Sequence, residues 1–465
     1  MDSLANGGRC DRECLRTSPA DTQSAGDRFY SRFRTLLADA IVNPSIPSAA
    51  AILLTGAALV SQGRQSAGWT LCGTAYRMVI DMGCHLSTDT SHSHLRTGGV
   101  SEIEVDIERE WRRRLYWGAL VTDATQSMYL GRQVTLRPSQ GRVSQMLLDH
   151  YEELEEWSPL IDEAQSPGSN ALLLAYRPRP AYAVSTFNAL VKLAMISTRI
   201  TQTFYSIDCV KSSPDTLWQT KADIEGDLSD WLSELPTHLR LDFDKHVPPP
   251  HQITPHTTYH VLNILLRRPF LEGGYLQDST IADAGPSNDQ SCTDSALAIW
   301  KLVSAYRDTF TLRRSPFLLS YAVYSAVVVI LRQSKNAPPD HFQDAIGFFL
   351  TALSELQRGC NFGLRRPVAI IRDMMAELGS TQPPQYQPEN QSAFSSILEM
   401  CSFDPNSQYA PNNAASGMEG CTFAQFEPLP HDFFNVLDDQ EQNIVNDPLY
   451  GLFAQEPGGY NFQAG

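Results

Sequence analysis

Positions 381–465 contain no lysine or arginine, yet they carry eleven acids. The first 380 residues hold 36 bases and 41 acids, a net of −5 against −16 for the whole chain. A chain of this charge lacks the broad positive field on which nucleic-acid affinity rests, so direct DNA binding by electrostatics is not expected. Long apolar runs are missing too. The longest, residues 49–60 and 317–331, fall short of the ~18–20 residues that a membrane helix needs. Both read as buried core helices, and no membrane association is expected. The N-terminal MDSLANGGRCDRECLR has no apolar stretch, so no secretory leader is expected there. Nine cysteines lie at 10, 14, 72, 84, 209, 292, 360, 401 and 421, an odd number with no repeated spacing. That pattern fits free thiols in a reducing compartment better than a disulfide framework.

Chemical motifs are equally scarce. There is no G-x-S-x-G, no H-E-x-x-H, no phosphate loop ending in Gly-Lys-Ser/Thr, no G-x-G-x-x-G and no D-D-x-x-D. The acidic pair Asp438-Asp439 lies in the polar tail. Cys10 and Cys14 stand four apart, and no further cysteine follows before Cys72, so they lack two of the four ligands of a structural zinc site. His92 and His94, with His85 nearby, sit in a polar stretch and read as solvated. No catalytic residue, metal site or cofactor is expected, and the chain does not read as an enzyme.

What is present is helical patterning. Trp69, Cys72, Tyr76, Ile80 and Gly83 share one helix face. Leu190, Leu193, Ala194 and Phe204 share another, opposite Lys192 and Arg199. Ile224, Leu228, Trp231 and Leu235 follow the same rule, as do Phe342, Ile346, Phe349, Leu353 and Leu356. Strand-type alternation is hard to find and no repeat of fixed period appears, so the fold class is all-α. Polar or Pro/Gly-rich connections are expected at 87–101, 165–183, 247–250 and 277–290. The helical pattern stops after Leu378 at TQPPQYQP. The composition divides the chain into a polar, disordered N-terminus (1–26), a multi-helix body with long loops (27–378) and a disordered acidic tail (379–465).

The most distinctive stretch is Glu108-Arg109-Glu110-Trp111-Arg112-Arg113-Arg114-Leu115-Tyr116-Trp117. Three adjacent arginines on a helix point about 100° apart, so they cannot form one DNA-facing stripe. Residues 115–121 are apolar nearly all round, which buries this helix. Its arginines then need carboxylate partners. The expected arrangement is a structural network of Arg112, Arg113 and Arg114 with Asp123 and Arg132, and Glu104, Asp106 and Glu108 just before them are further carboxylates at hand. A nuclear-import or DNA-contacting patch is the competing reading.

These residues also carry a family resemblance. Trp69, Gly73-Thr74-Ala75-Tyr76-Arg77-Met78, Asp81-Met82-Gly83-Cys84-His85, Glu110 to Trp117, Asp123 and Gly131-Arg132 together resemble the middle homology region of fungal binuclear zinc-cluster transcription factors. Trp231-Leu232-Ser233-Glu234-Leu235-Pro236, Leu265-Leu266-Arg267-Arg268-Pro269-Phe270 and Asn361-Phe362-Gly363-Leu364 agree. Glu155-Glu156-Trp157 with Tyr176, Pro178 and Pro180 looks most like regulators of nitrogen assimilation. The likeness covers about residues 26–378. It departs at Cys84, Ala124 and Gln133, where the family more often has Leu, a basic residue and Pro. The resemblance implies a nuclear transcription regulator. It also implies an N-terminal six-cysteine cluster holding two zinc ions, with a dimerising coiled coil, and this sequence contains neither. DNA contact would then be lost, or supplied by a partner zinc-cluster factor in a homo- or heterodimer or by a missing N-terminal segment. A helical small-molecule sensor, or a co-regulator with no direct DNA role, is the alternative.

The tail fits the first reading. Leu429-Pro430-His431-Asp432-Phe433-Phe434-Asn435-Val436-Leu437-Asp438-Asp439 sets Phe433, Phe434, Val436 and Leu437 among acids, and Pro448 to Phe453 forms a second apolar cluster. Acids keep such apolar groups solvated, and a coactivator groove can fold them as a short helix. Phe433, Phe434, Val436 and Leu437 are therefore the candidate activation motif. A plain solubilising tail is the competing reading.

Overall fold

The computed structural model describes residues 26–86, 102–149, 151–159, 171–206, 212–242, 246–271, 284–335 and 341–358, with scattered positions beside them. The acidic tail, the 87–101 connection and the Asn361–Leu364 motif lie outside the described residues, as do Cys10, Cys14, His92 and His94. All described residues belong to one unit that runs as far as Thr381 in the sequence.

Helix starts follow local rules. α1 (Asp27–Val42) begins after Gly26, whose φ of 88° suits the residue without a Cβ. α2 (Ile46–Ser61) starts with a reciprocal cap. The Ser45 hydroxyl accepts the Ser48 N–H, the Ser48 hydroxyl accepts the Ser45 N–H, and Pro47 occupies the first turn. α3 (Gln65–Asp81) ends at Gly83 (φ 68°), and the Cys84 N–H returns to the Val79 carbonyl. α4 (Glu102–Leu130) is the longest helix described, with 29 residues, and Gly131 (φ 66°) stops it.

α2 and α3 approach closely at Gly56 and Gly68. A Cβ on Gly56 would stand 2.5 Å from Cys72 Sγ and 2.9 Å from the Gly68 carbonyl oxygen. Around this crossing Ile52, Leu53, Cys72, Ala75, Tyr76, Val79, Leu115, Leu120 and Ala124 form one apolar core. Burying each large side chain contributes on the order of 1.5–3 kcal/mol.

The second half stacks longer helices. α5 is a single turn (Ala171–Leu174), followed by α6 (Ala183–Phe204), α7 (Pro214–Ser233), α8 (Pro250–Arg267), α9 (Ala284–Phe310), α10 (Phe317–Ser334) and α11 (Gln343–Arg358). α6 joins the halves by packing on α4, α7 and α8, and α10 packs on α8, α9 and α11. Tyr321 on α10 donates to the Met128 carbonyl of α4 at 3.3 Å. Strands are confined, among the described residues, to a two-residue antiparallel bridge of β1 (Glu156–Trp157) and β2 (Arg179–Pro180). The body is all-α.

Three expectations need correction. The 277–290 segment is not a solvated insert throughout, because α9 starts at Ala284 and Asn288 is buried. Pro286 falls in the first turn, where a missing N–H costs nothing, and tertiary packing carries the helix through polar residues. The 317–331 run is by itself too short to cross a membrane. The helix extends to Ser334, which makes 18 residues of mean hydropathy 1.5, long and apolar enough by composition, and 72% of it is buried inside the body. Ile80 leaves the predicted core face of α3 at 41% exposure, because α3 packs against both α2 and α4 and buries Ala75, Met78 and Val79 instead.

Candidate functional site

The three arginines of α4 diverge as their spacing requires, and Arg112 takes one of the expected carboxylates, Glu108, whereas Arg113 and Arg114 turn to others. Arg112 donates to Glu108 Oε1 at 3.1 and 2.8 Å and to the Met82 carbonyl at 2.7 Å, tying α4 to the end of α3. Arg113 Nη1 stands 4.0 Å from Glu110 Oε2. Arg114 is the centre. It donates to Glu110 Oε1 at 2.7 Å, grips Glu152 with two bonds of 2.8 and 2.6 Å, and reaches the Leu148 carbonyl at 2.7 Å. The Leu148 N–H returns to Glu110 Oε1 at 3.0 Å. Glu110 is buried at 7% exposure, and this hub meets its charge through Oε1 while pinning Leu148 and Glu152 along the helix.

Asp123 and Arg132 stand apart from this hub. Asp123 Oδ2 accepts the Thr135 and Leu136 N–H groups at 2.7 and 2.6 Å, fixing the segment that follows Gly131. The side chain is 1% exposed, and burial pushes its carboxyl up to about 6 although the two amide bonds oppose this. Arg132 lies over the Trp69 ring, 5.3 Å from its centroid. The expected network is therefore two devices. Asp123 lies two and a half turns of helix, about 13 Å, beyond Arg114, which explains the separation.

Beside Asp123 lies a polar cluster that sequence reading missed. The Cys72 thiol donates to the Leu53 carbonyl at 3.6 Å and accepts from Gln126 Nε2 at 3.2 Å. Burial pushes this thiol up to about 11. Tyr76 packs beside it, and burial together with the neighbouring Cys72 and Asp123 charges drives its phenol well above the usual range.

The Glu155–Trp157 and Tyr176 motif also has a structural role. Trp157 meets Tyr176 at 5.6 Å and Phe310 at 5.7 Å, both edge-on, and lies 6.4 Å from His251. The Tyr176 hydroxyl reaches the Val247 carbonyl at 3.2 Å and His251 Nε2 the Ala181 carbonyl at 2.6 Å, holding Trp157 and residues 176–181 against α8 and α9. Further on, Trp231 Nε1 donates to the Ala189 carbonyl at 2.9 Å, and Glu225 receives both Lys221 (2.9 Å) and Arg267 (3.0 Å).

These motifs recur in known proteins. Residues 11–237 match the fungal specific transcription factor domain. The chain is 27% identical over 374 residues to the nitrogen assimilation transcription factor nirA of Emericella nidulans, covering 80% of this chain and 39% of nirA. It is 27% identical over 315 residues to the nitrogen assimilation transcription factor nit-4 of Neurospora crassa, covering 67% of this chain and 26% of nit-4. It is 28% identical over 228 residues to the activatory protein CHA4 of Saccharomyces cerevisiae, covering 46% and 31%. No solved structure matches it. Over residues 11–237, just under half of its length, the chain is similar to this family of fungal transcription-regulator domains. It spans well under half the length of these three relatives.

The first cysteine after Cys10 and Cys14 is Cys72, buried in α3 with its thiol already engaged and its pKa raised, the opposite of a metal-binding thiolate.

Proposed function

We propose that this chain is a nuclear transcription regulator, in which a helical regulatory body precedes an acidic activation tail that recruits a coactivator. DNA contact comes from a zinc-cluster partner in a dimer or from a segment N-terminal to this sequence. The observation that carries the reading is where the family motifs fall. The α4 arginines, Asp123, the Trp157 cluster, Trp231 and Arg267 each sit at a junction between elements. Such residues specify the architecture of a regulatory domain, and none of them sets up a reaction. The body is accordingly read as non-enzymatic. The tail supplies acids and embedded aromatics in the composition of an activation segment.

The test is a fusion of residues 381–465 to a heterologous DNA-binding domain with a reporter gene. Activation of at least tenfold is expected, falling severalfold when Phe433, Phe434, Val436 and Leu437 are changed together to alanine. An expressed but silent fusion would refute the activation role. Full activity in the quadruple variant, lost only when acids are removed, would reduce the tail to a charge effect.

A further inference from the structure

Several buried polar atoms between α3 and α4 have no protein partner. Asp123 and Gln126 lie three residues apart on α4, on one face. Cys72 and Tyr76 lie four apart on α3, on one face. The Gln126–Cys72 bond joins the two faces, and Asp123 acts electrostatically on both Cys72 and Tyr76. All four residues are at most 1% exposed. Asp123 Oδ1 and Gln126 Oε1 have no hydrogen-bond partner, and the Tyr76 hydroxyl bonds to no other protein oxygen or nitrogen. With its Nε2 donating to Cys72 Sγ, the Gln126 amide leaves Oε1 as the acceptor left over. Ser127, next in sequence to Gln126, adds a fully buried hydroxyl without a partner. Leaving so many buried polar atoms unsatisfied is costly and rare in folded proteins.

The leftover valences complement one another. Two are acceptors, one of them a carboxylate oxygen, and the hydroxyls can donate or accept. We infer that this α3–α4 core is a binding site for a single-heavy-atom species that presents positive or partially positive charge to the oxygens of Asp123 and Gln126. Water and a monovalent cation such as ammonium share this chemistry. The occupant links α3 to Asp123, whose other oxygen holds the Thr135 and Leu136 amides, so it sits where the family's Gly131-Arg132 segment is anchored. A buried carboxylate with one oxygen on amides and the other bare is the kind of group that holds an internal water or ion.

The decisive variant is Tyr76→Phe, made in the full chain and again in Cys72→Ala, because the hydroxyl also bonds to the Cys72 thiol. If the site is filled, the occupant loses a partner and the melting temperature drops by about 2 °C or more in both backgrounds. If it is empty, the loss disappears in Cys72→Ala, where the hydroxyl has no partner left, and this overturns the proposal. Melting curves in ammonium, rubidium, sodium and choline chloride at equal ionic strength identify the occupant. A cation-selective rise that disappears in Asp123→Asn assigns a cation. No cation dependence, together with the Tyr76→Phe loss, assigns water. A high-resolution crystal structure, with a rubidium soak for anomalous scattering, reads the same question directly. Density within hydrogen-bond distance of Asp123 Oδ1 supports the site, and direct closure of Tyr76 onto Asp123 sinks it.

Discussion

With no cation beside its Oδ1, as in choline chloride, ionising Asp123 costs stability. Its carboxyl rises from an ordinary 3.8 to about 6 in the folded chain, chiefly through burial. The folded state therefore holds this proton more tightly than the unfolded state. Its contribution is fully present below about pH 4 and is lost as pH rises through about 6, a span of about 3 kcal/mol. His251, His256 and His260 act in the opposite sense. Burial lowers all three, His260 to about 4, so their contribution is present above the ordinary histidine range and is lost on acidification. The two effects oppose each other across pH 4–6.5. Urea unfolding of wild type and Asp123→Asn at pH 4, 5, 6 and 7 isolates the first, because the stability difference between them should change by about 2–3 kcal/mol across that range in favour of the variant at high pH. Arg114 gives a second residue-scale prediction. Arg114→Ala strips a buried carboxylate of its main partner and should cost about 3 kcal/mol in denaturant unfolding. Arg109→Ala, which breaks only an exposed pair with Asp106, should cost under about 1 kcal/mol. The divergence of Arg112, Arg113 and Arg114 was readable from helical geometry. Glu110 as a partner was within reach of the same reasoning, since it lies four residues before Arg114. Glu152 was not, because nothing local marks a carboxylate 38 residues away.

Elements obey the same division between local and distant information. The faces of α6, α7 and α11 follow from apolar spacing, since each packs mainly along one stripe. α3 departs because it is enclosed on two sides, and period alone does not say how many neighbours a helix has. The α9 start was hidden because its first turns are polar, and only packing against α8 and α10 makes them helical. The Gly56–Gly68 crossing was also invisible, since a helical glycine reads as a weakness until another backbone is found against it. Here it sets the distance between α2 and α3, and alanine measures this. Gly56→Ala drives a Cβ into Cys72 Sγ and the Gly68 carbonyl, and should lower the melting temperature by several degrees. Gly73→Ala, on the same helix as Gly68 with nothing within 4 Å of its new Cβ, should raise stability by about 0.5–1 kcal/mol.

At the scale of the whole molecule, the chain's charge and cysteines make two further outcomes testable together. Purified full-length chain should carry less than stoichiometric zinc by elemental analysis. It should also fail to shift duplex DNA at physiological salt, since a net charge of −16 offers no counterion release to drive binding. Addition of a zinc-cluster relative that dimerises with it should restore a shift containing both chains. A tight, sequence-specific shift by the chain alone would overturn the partner-dependent reading.

α4 has one more consequence, and it is mechanical. Its 29 residues make a rod about 43 Å long. Arg112 fastens it to the end of α3 near one third of its length, and Asp123 fastens the Thr135–Leu136 segment near three quarters. Rods transmit tilt. A 5° rotation about one end displaces the other by about 4 Å, close to one turn of a helix and enough to change which side chains meet there. A small disturbance at the Arg112 or Asp123 fastening is therefore geared up along α4 and delivered to α6 and α10, the helices that join this core to the rest of the body.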